Sequence, residues 1–561
     1  MRDPRFSRSS LRWKEIGGSG LSAPVTKRSG VADLIRFALL ANDHAFDGAR
    51  GYAGTSNADH GGMNGSDRGS IARLLWESAR SRAAATALVE RGRETPYHQL
   101  MSRAAAIATA LTAMGLHPDD RVAIWLDSGL DAVAAFFAVA AVGGIAVVLG
   151  ETLRARQITH VLTDCGASVL LTSALFAGAQ PSLDPGATRL VLVEDIPAAG
   201  DFAPVARQST DPVQIVYTSG STGRPKGVTV SHGNLWASTR AVTAYLSISP
   251  NDRIAAFLPF SFVYGMSQVL CAIGTGATLV IERSPLAAQL VTELRAQRVT
   301  VLAGVPPLWL QFLSVPGFRD ERLPDLRVMT NAGGHLPVVA VRGLRAAQPQ
   351  AQLFLMYGLT EALRCTYLPS GEVDRRPNSI GRAIPGGEVL VLRDDLTPCA
   401  VGEVGELVFN GPTVTLGYWN DPETTAQVFR RHPQRDAERV VFTGDLVRSD
   451  ADGFLTYVTR RDRLIKTMGY RVSPLEVSDV ILASGEVTDC VVSAEPDELR
   501  GQRIIAHVVL AQGGAMERLR LHCGLELPRY MQPVRFEVRT SLPRLPNGKY
   551  DVAAVGLAPQ S

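Results

Sequence analysis

Apolar residues are scattered without period through residues 1–70 and then fall into order. From Ile71 onward, short β-branched runs alternate with helix-length segments: RVAIWL at 121–126, SVLLTS at 168–173, RLVLVE at 189–194, QIVYTS at 214–219 and ATLVIE at 277–282. That alternation predicts parallel sheets covered by helices. The uncharged stretch 132–149 approaches bilayer-spanning length, but Gly143 and Gly144 divide it into a buried helix over 132–142, a turn and a strand over 145–149. After Glu388 the runs become hairpin-like (EVLVLRDD, GELVFNG, DGFLTYV), with Gly, Pro and Asp between them, and predict a smaller β-rich region. Near Arg461 the pattern changes again: SPLEVSDVILAS reads as a helix and DCVVSAE and RIIAHVVLA as strands, enough for a small α+β domain.

A chain of 561 residues with 46% apolar content exceeds one hydrophobic core. The expected fold is a multidomain α/β protein: an extension over 1–70, a large N-terminal domain of helix-covered sheets with a β-rich subdomain over 71–461, and a small mobile α+β domain over 462–561. The extension is rich in Gly, Ser and Arg and ends in the linker-like GGMNGSDRGS. We expect it to be disordered, in preference to a transit peptide, and Met63 is an equally plausible initiator. The 57 basic residues nearly balance the 54 acidic ones, so the net charge of +3 gives no general reason to expect nucleic acid or an anionic membrane as partner. Six dispersed cysteines without a CxxC pair suggest neither zinc nor a disulfide framework, and fit reduced thiols in the cytoplasm.

The most informative segment is YTSGSTGRPKG at 217–227, directly after an apolar strand. Gly220, Gly223 and Gly227 permit unusual backbone angles, while Thr218, Ser219, Ser221 and Thr222 with the backbone N–H groups can wrap phosphate oxygens. Lys226 adds a mobile positive charge. The P-loop of other nucleotide triphosphatases requires Gly-Lys-Ser/Thr; here Pro225 precedes and Gly227 follows Lys226, so that pattern fails.

This loop resembles the signature of the AMP-forming adenylate-ligase superfamily, which includes acyl-CoA synthetases, luciferases and peptide-synthetase adenylation domains. The resemblance continues in family order over 71–549. Asn331-Ala332-Gly333-Gly334-His335 resembles the glycine turn beside adenine. Met356-Tyr357-Gly358-Leu359-Thr360-Glu361 resembles the motif whose ring packs on adenine, whose threonine meets the α-phosphate and whose glutamate helps hold Mg2+. Asp445 in FTGDL resembles the ribose-binding aspartate, and Arg460 also falls on ribose. Asp462 matches the hinge, Gly469 the loop beside the thiol's pantetheine arm, and Lys549 in LPNGK the lysine that enters the site during adenylation. Thr459 stands where most relatives have Gly.

By resemblance, then, ATP and Mg2+ convert a carboxylic acid to acyl-AMP with release of pyrophosphate, and the acyl group passes to a thiol. Lys549, Thr360, Glu361 and Lys226 are the expected catalytic residues. The acceptor is expected to be CoA. The alternatives are the phosphopantetheine of a separate carrier protein, since no carrier motif follows Lys549, and, in another class, a non-catalytic adenylate-binding regulatory protein. A monomer or homodimer is expected. LPFSFVYGM at 258–266 matches one wall of the acyl pocket, with Phe262, Val263, Tyr264 and Ser267, while Thr330, Ala332, Met356 and Arg364 match the remainder. Val263 stands where α-amino-acid activators place Asp, and burying an unpaired ammonium is costly, so an α-amino acid is disfavoured. Phe262 replaces the His common in acyl-CoA and aryl-acid enzymes. Arg364 could pair with a second carboxylate or a polar substituent, or instead point outward or pair with a protein carboxylate. The wall and the stretch following Arg382 look most like stand-alone bacterial acyl-CoA ligases of secondary metabolism or exopolysaccharide clusters.

Overall fold

The computed structural model describes residues 69–219, 225–436, 438–467, 470–497, 501–545 and 548–557. The expected extension over 1–68, most of the phosphate loop (Gly220, Ser221, Thr222, Gly223) and Gly469 lie outside them, as do the side chains of Ser219 and Asp462. Within the described residues the chain has the expected α/β architecture, with a large N-terminal part of sheets and helices and a small C-terminal domain.

The largest sheet is built around six parallel strands, in spatial order Thr86–Glu90, Thr278–Ile281, Arg253–Ala256, Val301–Gly304, Val328–Asn331 and Gln352–Tyr357. Four of them (Thr278–Ile281, Val301–Gly304, Val328–Asn331 and, save one residue, Arg253–Ala256) are buried along their length, the signature of a sheet covered on both faces. A second sheet of seven strands has Ile145–Val148 and Arg121–Trp125 near its centre. The helix Leu130–Ala141 is buried at every position from Ala132 onward, and Gly143 takes φ +81 to turn the chain into the strand Ile145–Val148. No helix among the described residues is long and apolar enough to cross a membrane.

The hairpin-like runs after Glu388 form the expected β-rich region: Glu388–Leu392, Val404–Asn410, Arg439–Ser449 and Leu455–Arg460 continue the large sheet as antiparallel strands, a change of direction that already begins at Thr366–Leu368. One expectation is corrected. RLVLVE stops being a strand at Leu192, where a single 3₁₀ turn, Val193–Asp195, takes over.

The C-terminal part has its own five-stranded sheet and core, in which Val477, Ile481, Val492, Ala506 and Leu519 are buried together. Ser473 caps the helix Pro474–Ala483 by accepting a hydrogen bond from the Glu476 N–H, with proline in the first turn.

Candidate functional site

The strands on either side of the glycine-hydroxyl segment pair with each other. Pro212–Ser219 runs antiparallel to Pro225–Ser231, with Thr218 opposite Lys226 and Tyr217 opposite Gly227. This strand pairing differs from the strand–loop–helix of a P-loop, and places Lys226 on the strand Pro225–Ser231. Its ammonium lies 2.8 Å from Asp421 Oδ2 and 2.7 Å from Thr424 Oγ1, at the cap of the helix Pro422–Val428. The same contact, with hydrogen bonds from Thr424, lowers the Asp421 pKa to about 2.

The adjacent parallel strands Val328–Asn331 and Gln352–Tyr357 deliver Thr330, Ala332, Gly333, Met356 and Tyr357 to one sheet end, where ligands settle in open α/β sheets. Tyr357 donates its hydroxyl proton to Asp445 Oδ2, and the Tyr457 hydroxyl lies 3.5 Å from Oδ1. Asp445 sits opposite Arg460 in the strand pairing, with Arg460 Nε 3.9 Å from its carboxylate. Gly444, at φ +71, lets this arrangement close, since a Cβ there would lie 3.3 Å from the Arg460 guanidinium. Thr459, the departure from the family glycine, is buried and paired with Leu446. Thr360 and Glu361 occupy a 3₁₀ turn, and Glu361 Oε1 accepts a hydrogen bond from the Tyr418 hydroxyl at 2.5 Å.

Lys549 reaches this cleft from the C-terminal domain. It belongs to a tight turn in which Arg544 bridges to Tyr550 and Gly548 takes φ +79. Gly548 lies against the N-terminal part: a Cβ would be 3.4 Å from Val305 and 3.5 Å from Pro307. Although the residue is exposed at the cleft mouth, crowding around the ammonium pushes the Lys549 pKa below its usual value. Arg460 and Arg463 add to that shift, while Asp445 and Glu361 oppose it, so the cleft holds all five charges. A second contact joins the two parts: His335 Nε2 is 3.0 Å from both Asp479 carboxylate oxygens, which commits the imidazole to the C-terminal helix.

The segment expected to form the acyl wall is shaped by a turn that only glycine allows, because a Cβ on Gly265 would run into the Pro259 carbonyl. Phe262 precedes the helix Val263–Thr275, and the Tyr264 hydroxyl bonds to Thr330 at both the backbone carbonyl, 2.9 Å, and Oγ1, 2.6 Å. Val263 and Ser267 line one cavity with Leu363. Met356 accepts a hydrogen bond from Tyr245 through its sulfur. Arg364 neither points outward nor pairs with a protein carboxylate: it is 2% exposed, and its guanidinium lies 5.3 Å from the Tyr264 ring centre.

Sequence reasoning missed several partners. Asp489 accepts hydrogen bonds from Arg544 and Tyr550 and so pins the Lys549 turn; Tyr550 adjoins the LPNGK motif and was open to suspicion, but Asp489 is distant in sequence and carries no motif. Tyr418, Asp421 and Asp479 are likewise visible only once the strands are paired. No group of three or more His, Cys, Asp or Glu among the described residues forms a metal cage. Mg2+ keeps waters and takes further ligands from substrate phosphates, so a single protein carboxylate suffices, and Glu361 is the residue that would hold it.

Comparison with known proteins agrees with this geometry. A family model described as AMP-binding enzyme matches residues 75–419, and one described as AMP-binding enzyme C-terminal domain matches 476–549. The chain is 33% identical over 480 residues to a linear gramicidin synthase of Brevibacillus parabrevis, covering 84% of this chain but only 9% of that protein. It is 30% identical over 485 residues to an L-proline–[L-prolyl-carrier protein] ligase of Pseudomonas fluorescens, covering 83% of this chain and 94% of the ligase. An o-succinylbenzoate CoA synthetase from Bacillus subtilis, solved with its acyl-adenylate, superposes with a TM-score of 0.76 at 25% identity, covering 87% of this chain and 98% of the other. The chain belongs to the AMP-binding enzyme family.

Proposed function

We propose that the protein activates a carboxylic acid with ATP, forming an acyl-adenylate and pyrophosphate, and then transfers the acyl group to a thiol, CoA in the first instance. The observation that carries this reading is the arrival of Lys549, on a pinned turn of the C-terminal domain, in the cleft with Glu361, Asp445 and Arg460. Attack of the substrate carboxylate on the α-phosphorus gathers negative charge on phosphoryl oxygens, which positioned cations and donors stabilise. Lys549 and Thr360 are assigned to that charge, Asp445 and Arg460 to ribose, and Tyr357 to adenine. The 218–227 loop with Lys226 cradles the outer phosphates, where Lys226 must exchange Asp421 for phosphate oxygen. Magnesium, when bound at Glu361, neutralises phosphate charge.

In the second step a thiolate adds to the adenylate carbonyl and AMP leaves. We assign residues 71–461 to a body and 462–561 to a cap that turns about Asp462, withdrawing Lys549 and bringing Gly469 to the thiol. The His335–Asp479 contact must break in that turn. Unpaired cysteines fit a cytoplasmic setting. A second reading, loading of a separate carrier protein, is favoured by the likeness to the prolyl-carrier ligase over 94% of its length.

Pyrophosphate exchange into ATP with a panel of acids tests activation without the acceptor being known. Exchange dependent on one class of acid is expected, and none with any acid contradicts the proposal. CoA thioester formation then decides between the acceptors against carrier acylation.

A further inference from the structure

Glu361 is gripped by a stretch of chain that runs past it from elsewhere in the fold. Thr415, fully buried, binds the Glu361 carbonyl twice, through its N–H at 3.0 Å and its Oγ1 at 2.9 Å. A little further on, the Tyr418 hydroxyl donates to Glu361 Oε1 at 2.5 Å, across 57 positions of sequence. The main chain and the carboxylate of one residue are thus fixed from the same side. The second carboxylate oxygen, Oε2, accepts no hydrogen bond from the described residues. One bond to one oxygen orients the group and leaves the other oxygen to meet a hard cation, and carboxylates that hold a metal are characteristically hydrogen-bonded in this way.

The same stretch is anchored on its other side to the strand that carries Lys226. Gly417 and Tyr418 pair with Thr229 and Val228, and the Leu416 and Trp419 N–H groups donate to the carbonyls of Thr229 and Gly227 at 2.9 and 2.7 Å. The Tyr418 ring meets Phe429 edge-on at 6.0 Å and turns a face toward the Lys226 ammonium, 5.8 Å from its centre, within reach of a cation–π attraction. Past Asn420, which takes φ +53, the chain enters the helix whose cap, Asp421, is the ion-pair partner of Lys226. Tyr418 therefore touches both the carboxylate and the cation assigned to the polyphosphate, its hydroxyl on one and its ring toward the other.

Resting on the reading of Glu361 as the residue that holds Mg2+ in an adenylate-forming site, we propose that Tyr418 is a positioning residue: its hydroxyl fixes the Glu361 carboxylate for the metal, and its strand keeps that carboxylate in register with Lys226. The role needs the hydroxyl and not the ring. Phenylalanine at this position keeps the packing on Phe429 and the face toward Lys226, but lets the Glu361 carboxylate turn away from the direction the metal requires.

Calorimetric titration with α,β-methylene-ATP, once in saturating Mg2+ and once in EDTA, reads this without any acid or acceptor, because the ratio of the two dissociation constants is the metal's part of nucleotide affinity. In Tyr418→Phe that ratio is expected to fall by about tenfold or more, the scale on which partners of metal-ligating residues act, while the dissociation constant in EDTA stays within about twofold of wild type. Glu361→Gln should lose the ratio too, and the double variant should lose no more than Glu361→Gln alone, since both changes act on one interaction. An unchanged ratio in Tyr418→Phe, an equal weakening with and without Mg2+, a further loss in the double variant, or a wild type whose affinity ignores Mg2+ overturns the inference. If Tyr418→Phe does not melt cooperatively, Thr415→Val, of similar shape and lacking one bond to the Glu361 carbonyl, takes its place, and an unchanged ratio there overturns the inference equally. Pyrophosphate exchange by the wild type is read separately: its absence with every acid overturns the adenylation reading, whatever the metal ratio shows.

Discussion

Replacing Asp489 by alanine separates the positioning of Lys549 from the lysine itself. Asp489 lies on the strand Val487–Asp497, remote in sequence from the turn it holds. One carboxylate oxygen accepts from Arg544 Nη2 at 2.7 Å and the other from the Tyr550 hydroxyl, while Arg544 also stacks over Tyr550 at 4.0 Å and donates to the Gly548 carbonyl at 3.3 Å. Fully buried hydrogen bonds to a charged group are worth about 1.5–3 kcal/mol each. The Asp489 and Arg544 side chains are 18% and 25% exposed, so solvent screening reduces the pair to about 2 kcal/mol together. If that energy holds the turn in place, its loss slows adenylate formation by about thirtyfold. Transfer from pre-made acyl-adenylate to a thiol, which needs Lys549 withdrawn, should change by less than about threefold. Pyrophosphate exchange measures the first step and single-turnover thioester formation the second, with thermal melting as a control for folding. Equal losses in both steps, or exchange left at the wild-type rate, would refute a positioning role.

Two further outcomes concern protonation. His232 is buried and accepts the Ile71 N–H through Nδ1 at 3.0 Å; burial, aided by Arg207 and opposed by Asp211, lowers its pKa to about 4. Because the unfolded chain takes up this proton first, near pH 6.5, about 3 kcal/mol of stability is present above pH 6.5 and lost as pH falls to about 4. Urea midpoints at pH 7 and pH 4.5 should show this slope, and His232→Gln should flatten it; an equal slope in both proteins contradicts the assignment. For Lys549, the lowered pKa means the ammonium is lost below the usual 10.5. Exchange should therefore decline with rising pH before an ordinary lysine would titrate, while thioester formation from pre-made adenylate lacks that limb; a limb common to both steps argues against it.

The sequence makes legible what rests on local pattern. All-buried strands such as Val301–Gly304 and Val328–Asn331 announce a covered sheet, and a helix capped by Ser473 with Pro474 announces its own start. Motif residues Tyr357, Asp445, Arg460 and Lys549 do converge on one cleft. What sequence could not give is long-range pairing. The antiparallel continuation of the large sheet depends on which hairpin edges meet, and the tethers of Lys226 to Asp421 and of His335 to Asp479 join residues separated by 195 and 144 positions. Arg364 shows the same limit: its type and place left three readings open, and only its burial without a carboxylate excludes two of them.

The most direct measurement is Lys549→Ala assayed in the two half-reactions separately. Acid-dependent pyrophosphate exchange should fall by at least about 100-fold, the scale of removing a preorganised donor from developing phosphoryl charge, while thioester formation from synthetic acyl-adenylate stays near wild type. Exchange at the wild-type rate, or the same loss in both half-reactions, would contradict a lysine that serves adenylation alone.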